Sequence, residues 1–233
     1  MLELQDVHTY YGESHILQGV SLKVPKGSVV ALLGRNGMGK TTTIHSIMGF
    51  APSKSGKIEF KGSSIAGLPS YKIAQAGIAL IPQSKRIFPS LTVEENITIG
   101  QKKSVSLNPD ENLSRISELF PALKRKSDHR GNELSGGEQQ MLSFARALAT
   151  NPDLILMDEP FEGLAPAIVK DLSDCISRLK NQGLSILLVE QDIRAALKLA
   201  DYVYVMGNGR IIYEGKPEQL QVDESVLKRL LAV

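Results

Sequence analysis

The residues best equipped for chemistry fall in three separate stretches. Gly34-Arg35-Asn36-Gly37-Met38-Gly39-Lys40-Thr41 fits G-x-x-x-x-G-K-[ST] without exception, and each part of that spacing has a physical reason. Glycines let successive backbone N–H groups turn inward around an anion, and a helix opening at Lys40 adds the positive end of its dipole. Lys40 reaches the β- and γ-phosphates of a nucleotide, and the Thr41 hydroxyl supplies an oxygen to Mg²⁺. Arg35, Asn36, Met38 and Thr42 complete the set expected around the phosphates.

The second stretch is Leu154-Ile155-Leu156-Met157 followed by Asp158 and Glu159. It puts two carboxylates at the carboxyl end of a buried strand, where ligands of open α/β sheets collect. Taken alone, the pair could be a solvated turn. Beside the upstream loop, Asp158 suits a direct or water-mediated Mg²⁺ ligand. Glu159 is then free to polarise a water for attack on the γ-phosphate, a general-base role worth ~10²–10⁴-fold in rate.

The third stretch, LSGGEQQ from Leu134 to Gln140, sets Ser135, Gly136 and Gly137 ahead of a helix expected over Glu138–Ala149. It has no lysine and no buried strand leading into it. The hydroxyl, backbone N–H groups and dipole end can add to a phosphate already held elsewhere, which makes the stretch half of a site.

These residues need a scaffold, and the apolar pattern supplies one. Ser28–Leu33, Gly77–Ile81, Leu154–Asp158 and Ser185–Glu190 read as buried strands, the continuously apolar VVALL as one covered on both faces. Leu2–Val7, Val20–Val24 and GKIEFKG alternate, as half-exposed or edge strands do. Helices are expected over Lys40–Met48, Ala167–Lys180 and a segment ending near Ala200, with short strands YVYVM and RIIYEG after it. From Ser90 to about Gly131 β-branched runs are sparse and the pattern is helical or polar, an insertion. The expected fold is α/β: a mainly parallel central sheet, an antiparallel β layer and a helical subdomain.

Composition narrows the function class. The 233 residues include 27 basic and 25 acidic side chains, a net charge of +2, which argues against nucleic acid or an acidic lipid surface as the main partner. The single cysteine, Cys175, cannot form an internal disulfide and has apolar helical neighbours, so it is expected as a packed thiol. No signal peptide is expected, and no apolar run approaches the ~20 residues needed to span a bilayer, so a membrane role must come through a partner. The four histidines, His8, His15, His45 and His129, show no ligand spacing.

With GRNGMGKT, LSGGE and LILMDEP in that order, the sequence resembles the nucleotide-binding subunits of ATP-binding cassette (ABC) transporters over nearly its whole length. YYGESHILQGVSLKVPKGSVVALLGRNGMGKTTT, RIFPSLTVEENI, LSGGEQQML, DEPFEGLAP and LLVEQD look like the smaller of the two ATPases of branched-chain amino acid importers. A relative serving urea import is similar.

The resemblance implies a P-loop ABC-type ATPase spanning 1–233. Residues 1–89 and 132–233 would form the core with its β layer, and about 90–131 with the signature helix 134–150 the helical subdomain. It implies ATP and Mg²⁺ as cofactors. Tyr11 would stack on adenine, with Tyr10 as its rival. Gln83 would touch Mg²⁺ and the attacking water and lead into the helical insertion, with Phe88 and Pro89 on an exposed docking loop. Ser135, Gly136, Gly137 and Glu138 would face the ATP of a partner chain.

Two positions depart from the wider pattern. Gln191 stands where a histidine contacts the γ-phosphate, and an amide can donate to phosphate but cannot carry charge or shuttle a proton. Gly163-Leu164-Ala165-Pro166 lacks the usual aspartate. The implied partners are a second ABC ATPase subunit, identical or a larger sister, transmembrane permease subunits and, indirectly, a solute-binding protein. The implied location is the cytoplasmic face of the membrane. Two rival readings are a soluble cassette ATPase in translation or chromosome maintenance, and a regulatory nucleotide-binding module that never hydrolyses. The absence of tandem cassettes, a coiled-coil insertion and basic tails argues against the first, and intact Lys40, Thr41, Asp158 and Glu159 argue against the second.

Overall fold

The structure, a computed structural model, describes residues 1–84, 87–101 and 109–222. Strands β1 (Leu2–Tyr11) and β2 (Ser14–Val24) form a hairpin around Gly12-Glu13. β3 (Val29–Leu33) leads through the glycine-rich loop into α1 (Lys40–Ile47). β4 (Ser53–Phe60) and the two-residue β5 (Ser63–Ser64) finish a four-stranded antiparallel sheet of order β2-β1-β4-β5. α2 (Ser70–Ala76) precedes β6 (Ile78–Ile81). The helical stretch follows as α3 (Val93–Gly100), α4 (Pro109–Leu119), α5 (Pro121–Lys124), a single 3₁₀ turn at Gly131–Glu133 and α6 (Gly136–Ala149).

The chain then alternates β7 (Leu154–Asp158), α7 (Pro166–Asn181), β8 (Ser185–Glu190) and α8 (Ile193–Leu199). It closes, within the described residues, with β9 (Tyr202–Gly207), β10 (Arg210–Gly215) and α9 (Pro217–Val222). The second sheet has the order β10-β9-β3-β8-β7-β6. Every neighbouring pair is parallel except β9 with β10.

The continuous apolar strands are buried on both faces because two cores flank this sheet. Val30 and Leu32 of β3 pack with Leu154, Leu156, Leu187 and Val189 toward the antiparallel sheet and α1. Val29, Ala31 and Leu33 join Ile155, Met157, Ile186 and Leu188 in a core shared with helices from α3 onward, while Ile73 of α2 lies in the first core. Alternation within one strand thus serves two layers, since successive side chains point to opposite faces. Cys175 is buried in the second core, and burial pushes its thiol up to about 12, as befits an inert packing group.

Helices α2 and α9 were not legible as periodic segments. Of the residues of α2 only Ile73 is fully buried, too little for an apolar stripe, and the left-handed Gly77 closes it at φ 113°. Two helix starts carry reciprocal caps. The Thr92 hydroxyl accepts from Glu95 N–H at 3.1 Å while the Glu95 carboxylate accepts from Thr92 N–H at 2.8 Å. Ser135 and Glu138 repeat the arrangement at α6.

Candidate active site

The strand ends bring the chemistry together. The loop 34–39 leaves β3 and feeds α1, Asp158 is the last residue of β7, Gln83 stands two residues beyond β6, and Gln191 follows β8 directly. All four are carboxyl ends of adjacent parallel strands, where loops have no further ladder to join and side chains converge on one crevice. Gly34 is required by a close approach: a Cβ there would lie 2.6 Å from the Met206 carbonyl oxygen. Gly39 has φ 107°, which favours glycine, and a Cβ would meet Leu17 at 3.0 Å. Arg35, Asn36 and Gly37 are exposed at the loop's crest, Met38 is half-buried, and Thr42 is buried in the first turn of α1.

Lys40 and Glu159 form a buried ion pair of 3.0 Å, with side chains 3% and 6% exposed. The same ammonium donates to the Arg35 carbonyl at 3.2 Å. Glu159 is therefore held by the loop lysine, a contact that strand and helix patterns could not reveal. Its backbone sits at φ 47°, uncommon for a residue with a side chain, and its N–H donates to the Val189 carbonyl at 2.9 Å. The Thr41 hydroxyl donates to Asp158 Oδ1 at 3.1 Å. Burial, only partly opposed by that hydrogen bond, raises the Asp158 carboxyl above its usual range. Thr41 hydroxyl and Asp158 carboxylate in contact, with the Gln83 amide nearby, form an oxygen donor set suited to a hard cation such as Mg²⁺.

Gln83 Nε2 donates to Glu162 Oε2 at 2.8 Å and lies 3.5 Å from Glu159 Oε2. Gln191 is exposed and lines, with Glu159, Glu162, Glu190 and Asp192, an open cleft of about 590 Å³. Glu190 is a site residue that motif reading passed over. It is 3% exposed, and its two oxygens accept backbone N–H groups of Phe161 (3.2 Å), Gln191 (3.1 Å) and Asp192 (3.4 Å). Burial pushes its carboxyl up to about 7 against those bonds. The signal for it was present: like Asp158, it is a carboxylate closing an apolar strand.

Tyr11 and Tyr10 have different surroundings. Tyr10 is stacked on His15 with centroids 4.1 Å apart and has the Lys54 ammonium 4.9 Å from its ring centroid. Tyr11 is 48% exposed, and its hydroxyl shares a 3.3 Å hydrogen bond with His45 Nδ1 on α1, the helix that opens at Lys40. The hairpin also brings His8 Nδ1 within 3.0 Å of His15 Nε2, with Asp6 at 3.2 Å from His8 Nε2. Linear spacing hid that pair, and among the described residues no group of three or more His, Cys, Asp or Glu side chains is placed to hold a metal ion. Phe88 is 43% exposed with the Arg146 guanidinium 5.1 Å from its ring centroid, and Pro89 is exposed beside it.

LSGGEQQ starts α6. Ser135 Oγ accepts from Glu138 N–H at 3.4 Å, and Glu138 Oε2 accepts from Ser135 N–H at 2.9 Å. Acceptance leaves the Ser135 hydroxyl hydrogen able to donate. Glu138 also pairs with Lys126 at 2.7 Å, which holds its carboxyl below the usual range. Gly137 packs against α7, where a Cβ would lie 2.8 Å from Ile168 Cγ1. Among the described residues, no hydrogen bond or ion pair joins Ser135–Glu138 to the loop Gly34–Thr41.

A family model described as ABC transporter matches residues 17–162, the span from the first hairpin through both carboxylates. The chain belongs to the ABC transporter ATPase family. It is 43% identical over 212 residues to the high-affinity branched-chain amino acid transport ATP-binding protein BraG of Pseudomonas aeruginosa, covering 91% of each chain. It is 38% identical over 228 residues to the lipopolysaccharide export system ATP-binding protein LptB of Haemophilus influenzae, covering 97% of this chain and 95% of that one. A crystal structure of MJ1267, an ATP-binding cassette of an ABC transporter, in its ADP conformation superposes with a TM-score of 0.87 at 31% identity, covering 100% of this chain and 99% of that one. The ABC ATPase has the expected α/β fold, binds ATP and couples its hydrolysis to transport. Among the described residues no helix is long and apolar enough to cross a membrane.

Proposed function

We propose that this ABC ATPase is the motor subunit of a branched-chain amino acid importer, and that the residues converging on the crevice perform the hydrolysis. The observation that carries the second part is the contact set Lys40–Glu159, Thr41–Asp158 and Gln83–Glu159 across three strand ends. Lys40 and the N–H groups of Gly34–Thr41 receive the β- and γ-phosphates. A phosphate drawing the Lys40 ammonium away releases Glu159, which then accepts the proton of a water attacking the γ-phosphorus as its bond to the β–γ bridging oxygen breaks and ADP leaves. Thr41, Asp158 and Gln83 would hold Mg²⁺, which when bound would neutralise phosphate charge. Gln191 donates to the γ-phosphate, and Tyr11 stacks on adenine.

Ser135, Gly136, Gly137 and Glu138 lie at a helix start apart from the phosphate loop. A two-fold pair of cassettes, each completing the other's site, gives that half-site its use. Permease subunits at the cytoplasmic face of the membrane would take up the motion, and a solute-binding protein would supply the solute indirectly. The solute assignment rests on the 43% identity to BraG. The 38% identity to LptB across nearly the whole chain supports a second reading, an ATPase of lipopolysaccharide export.

Purified protein beside Glu159→Gln tests the chemistry: the variant should bind ATP, elute as a nucleotide-dependent dimer and turn over little. Near-normal turnover would remove Glu159 as the base. Identification of the co-purifying permease, followed by uptake of labelled leucine, tests the solute; recovery of lipopolysaccharide-export components instead favours the second reading.

A further inference from the structure

We infer that Glu190 is a positioning residue that clamps two catalytic turns into one register. The inference rests on the roles proposed for Glu159 and Gln191. The Glu190 side chain, at the end of β8, spans two loops of the crevice. Its Oε1 accepts the Phe161 N–H, two residues beyond Glu159, and its Oε2 accepts the N–H groups of Gln191 and Asp192. One carboxylate thus joins the loop carrying the base to the turn carrying the γ-phosphate donor. It touches neither with its own chemistry; it acts through the backbone.

The geometry makes a fortuitous surface contact an inadequate account. Glu190 is buried, and a buried carboxylate is retained at a cost unless its oxygens are occupied. Three backbone donors occupy them, two from its own turn and one from 29 residues away in sequence. The clamp extends in both directions. Gln140 of α6, itself buried, donates Nε2 to the Pro160 carbonyl at 3.1 Å, next to Phe161. On the far side Asp192 Oδ1 accepts from Arg194 and Ala195 N–H groups and caps α8. A continuous path runs from the helix that begins at Ser135, through the Glu159 loop and Glu190, to Gln191.

An amide at 190 separates the two halves of the clamp. A Gln side chain has one oxygen, which can keep the Gln191 and Asp192 donors, while its NH₂ facing Phe161 N–H is donor against donor. Hydrogen exchange on the ABC ATPase without nucleotide, at a pH above about 7 where the Glu190 carboxyl is ionised, reads this directly. In Glu190→Gln the Phe161 amide should lose about tenfold or more of its protection while Gln191 and Asp192 retain theirs; in Glu190→Ala all three should lose it. In ATPase assays kcat should fall by about tenfold in Glu190→Gln and further in Glu190→Ala, with KM for ATP within about twofold, since misplacement by an ångström costs up to ~10² in rate without removing a binding contact.

Unchanged protection of all three amides in both variants would overturn the clamp. So would lost protection with wild-type kcat, or a kcat loss matched by an equal rise in KM. Should Glu190→Ala not fold, Glu190→Gln alone carries the same comparison. An inactive wild-type protein whose Glu190 variants still show the graded exchange pattern would sink the hydrolysis reading and, with it, the catalytic purpose of the clamp.

Discussion

Replacing Lys40 by alanine should remove nucleotide binding, but the structure implies a second and separable effect. The Lys40 ammonium is the charge partner of Glu159 in a pocket where both side chains are nearly inaccessible. Removing one member of such a pair leaves an uncompensated buried charge, which costs about 3–5 kcal/mol. Gln83 Nε2 at 3.5 Å offers weak relief, and water entering the space left by the lysine stem offers more, so the lower end, about 3 kcal/mol, is expected. For a chain of this size that corresponds to a fall in Tm of roughly 6–12 °C.

Adding Glu159→Gln removes the stranded charge, so the double variant should recover most of the loss. Calorimetric melts of wild type, both single variants and the double variant, all without nucleotide, form a double-mutant cycle. The expected coupling is about 2 kcal/mol or more. Coupling below about 0.5 kcal/mol, or a double variant no more stable than Lys40→Ala, would refute the ion pair as a structural element. The practical consequence is that nucleotide binding by Lys40→Ala must be measured well below its own melting point.

Two further outcomes follow from the same contacts. Gly136→Asp, placing a negative side chain at the start of α6, should leave ATP binding by the monomer intact and abolish ATP-dependent dimerisation and hydrolysis; loss of monomer binding would make LSGGEQQ a primary site. Glu190, whose carboxyl is raised from 4.5 to about 7 by burial, keeps in the folded state a proton that the unfolded chain releases. Its contribution is thus fully present below pH 4.5 and lost as pH rises through about 7, so wild type should lose about 3 kcal/mol relative to Glu190→Gln across that window, and urea melts giving a pH-independent difference would refute it.

Much of this ABC ATPase was legible in its linear order. VVALL, LILMD and SILLVE are apolar without interruption because both faces of their sheet are covered, and such runs announce a parallel sheet before any contact is known. The glycine spacing of the loop 34–39 was equally plain, since Gly34 and Gly39 meet a close backbone approach and a left-handed φ that a side chain would oppose. Ser135 and Glu138 suggest phosphate chemistry in the linear order, and their capping box shows that the same letters start a helix.

What the tertiary structure decided is which distant groups meet. Tyr10 packs on His15 while Tyr11 stays exposed beside His45, a choice set by the hairpin register and by α1. His8 and His15 share no ligand spacing along the chain, yet their rings touch across two strands. Lys40 and Glu159 are 119 positions apart and pair because β3 and β7 flank β8 in one parallel sheet, with their loops emerging at the same edge. Glu190 gains its long-range donor, the Phe161 N–H, for the same reason. Local pattern determines which elements form, because propensity and burial act over a few residues; sheet order determines which carboxylate faces which cation, because that is fixed only when the strands are laid side by side.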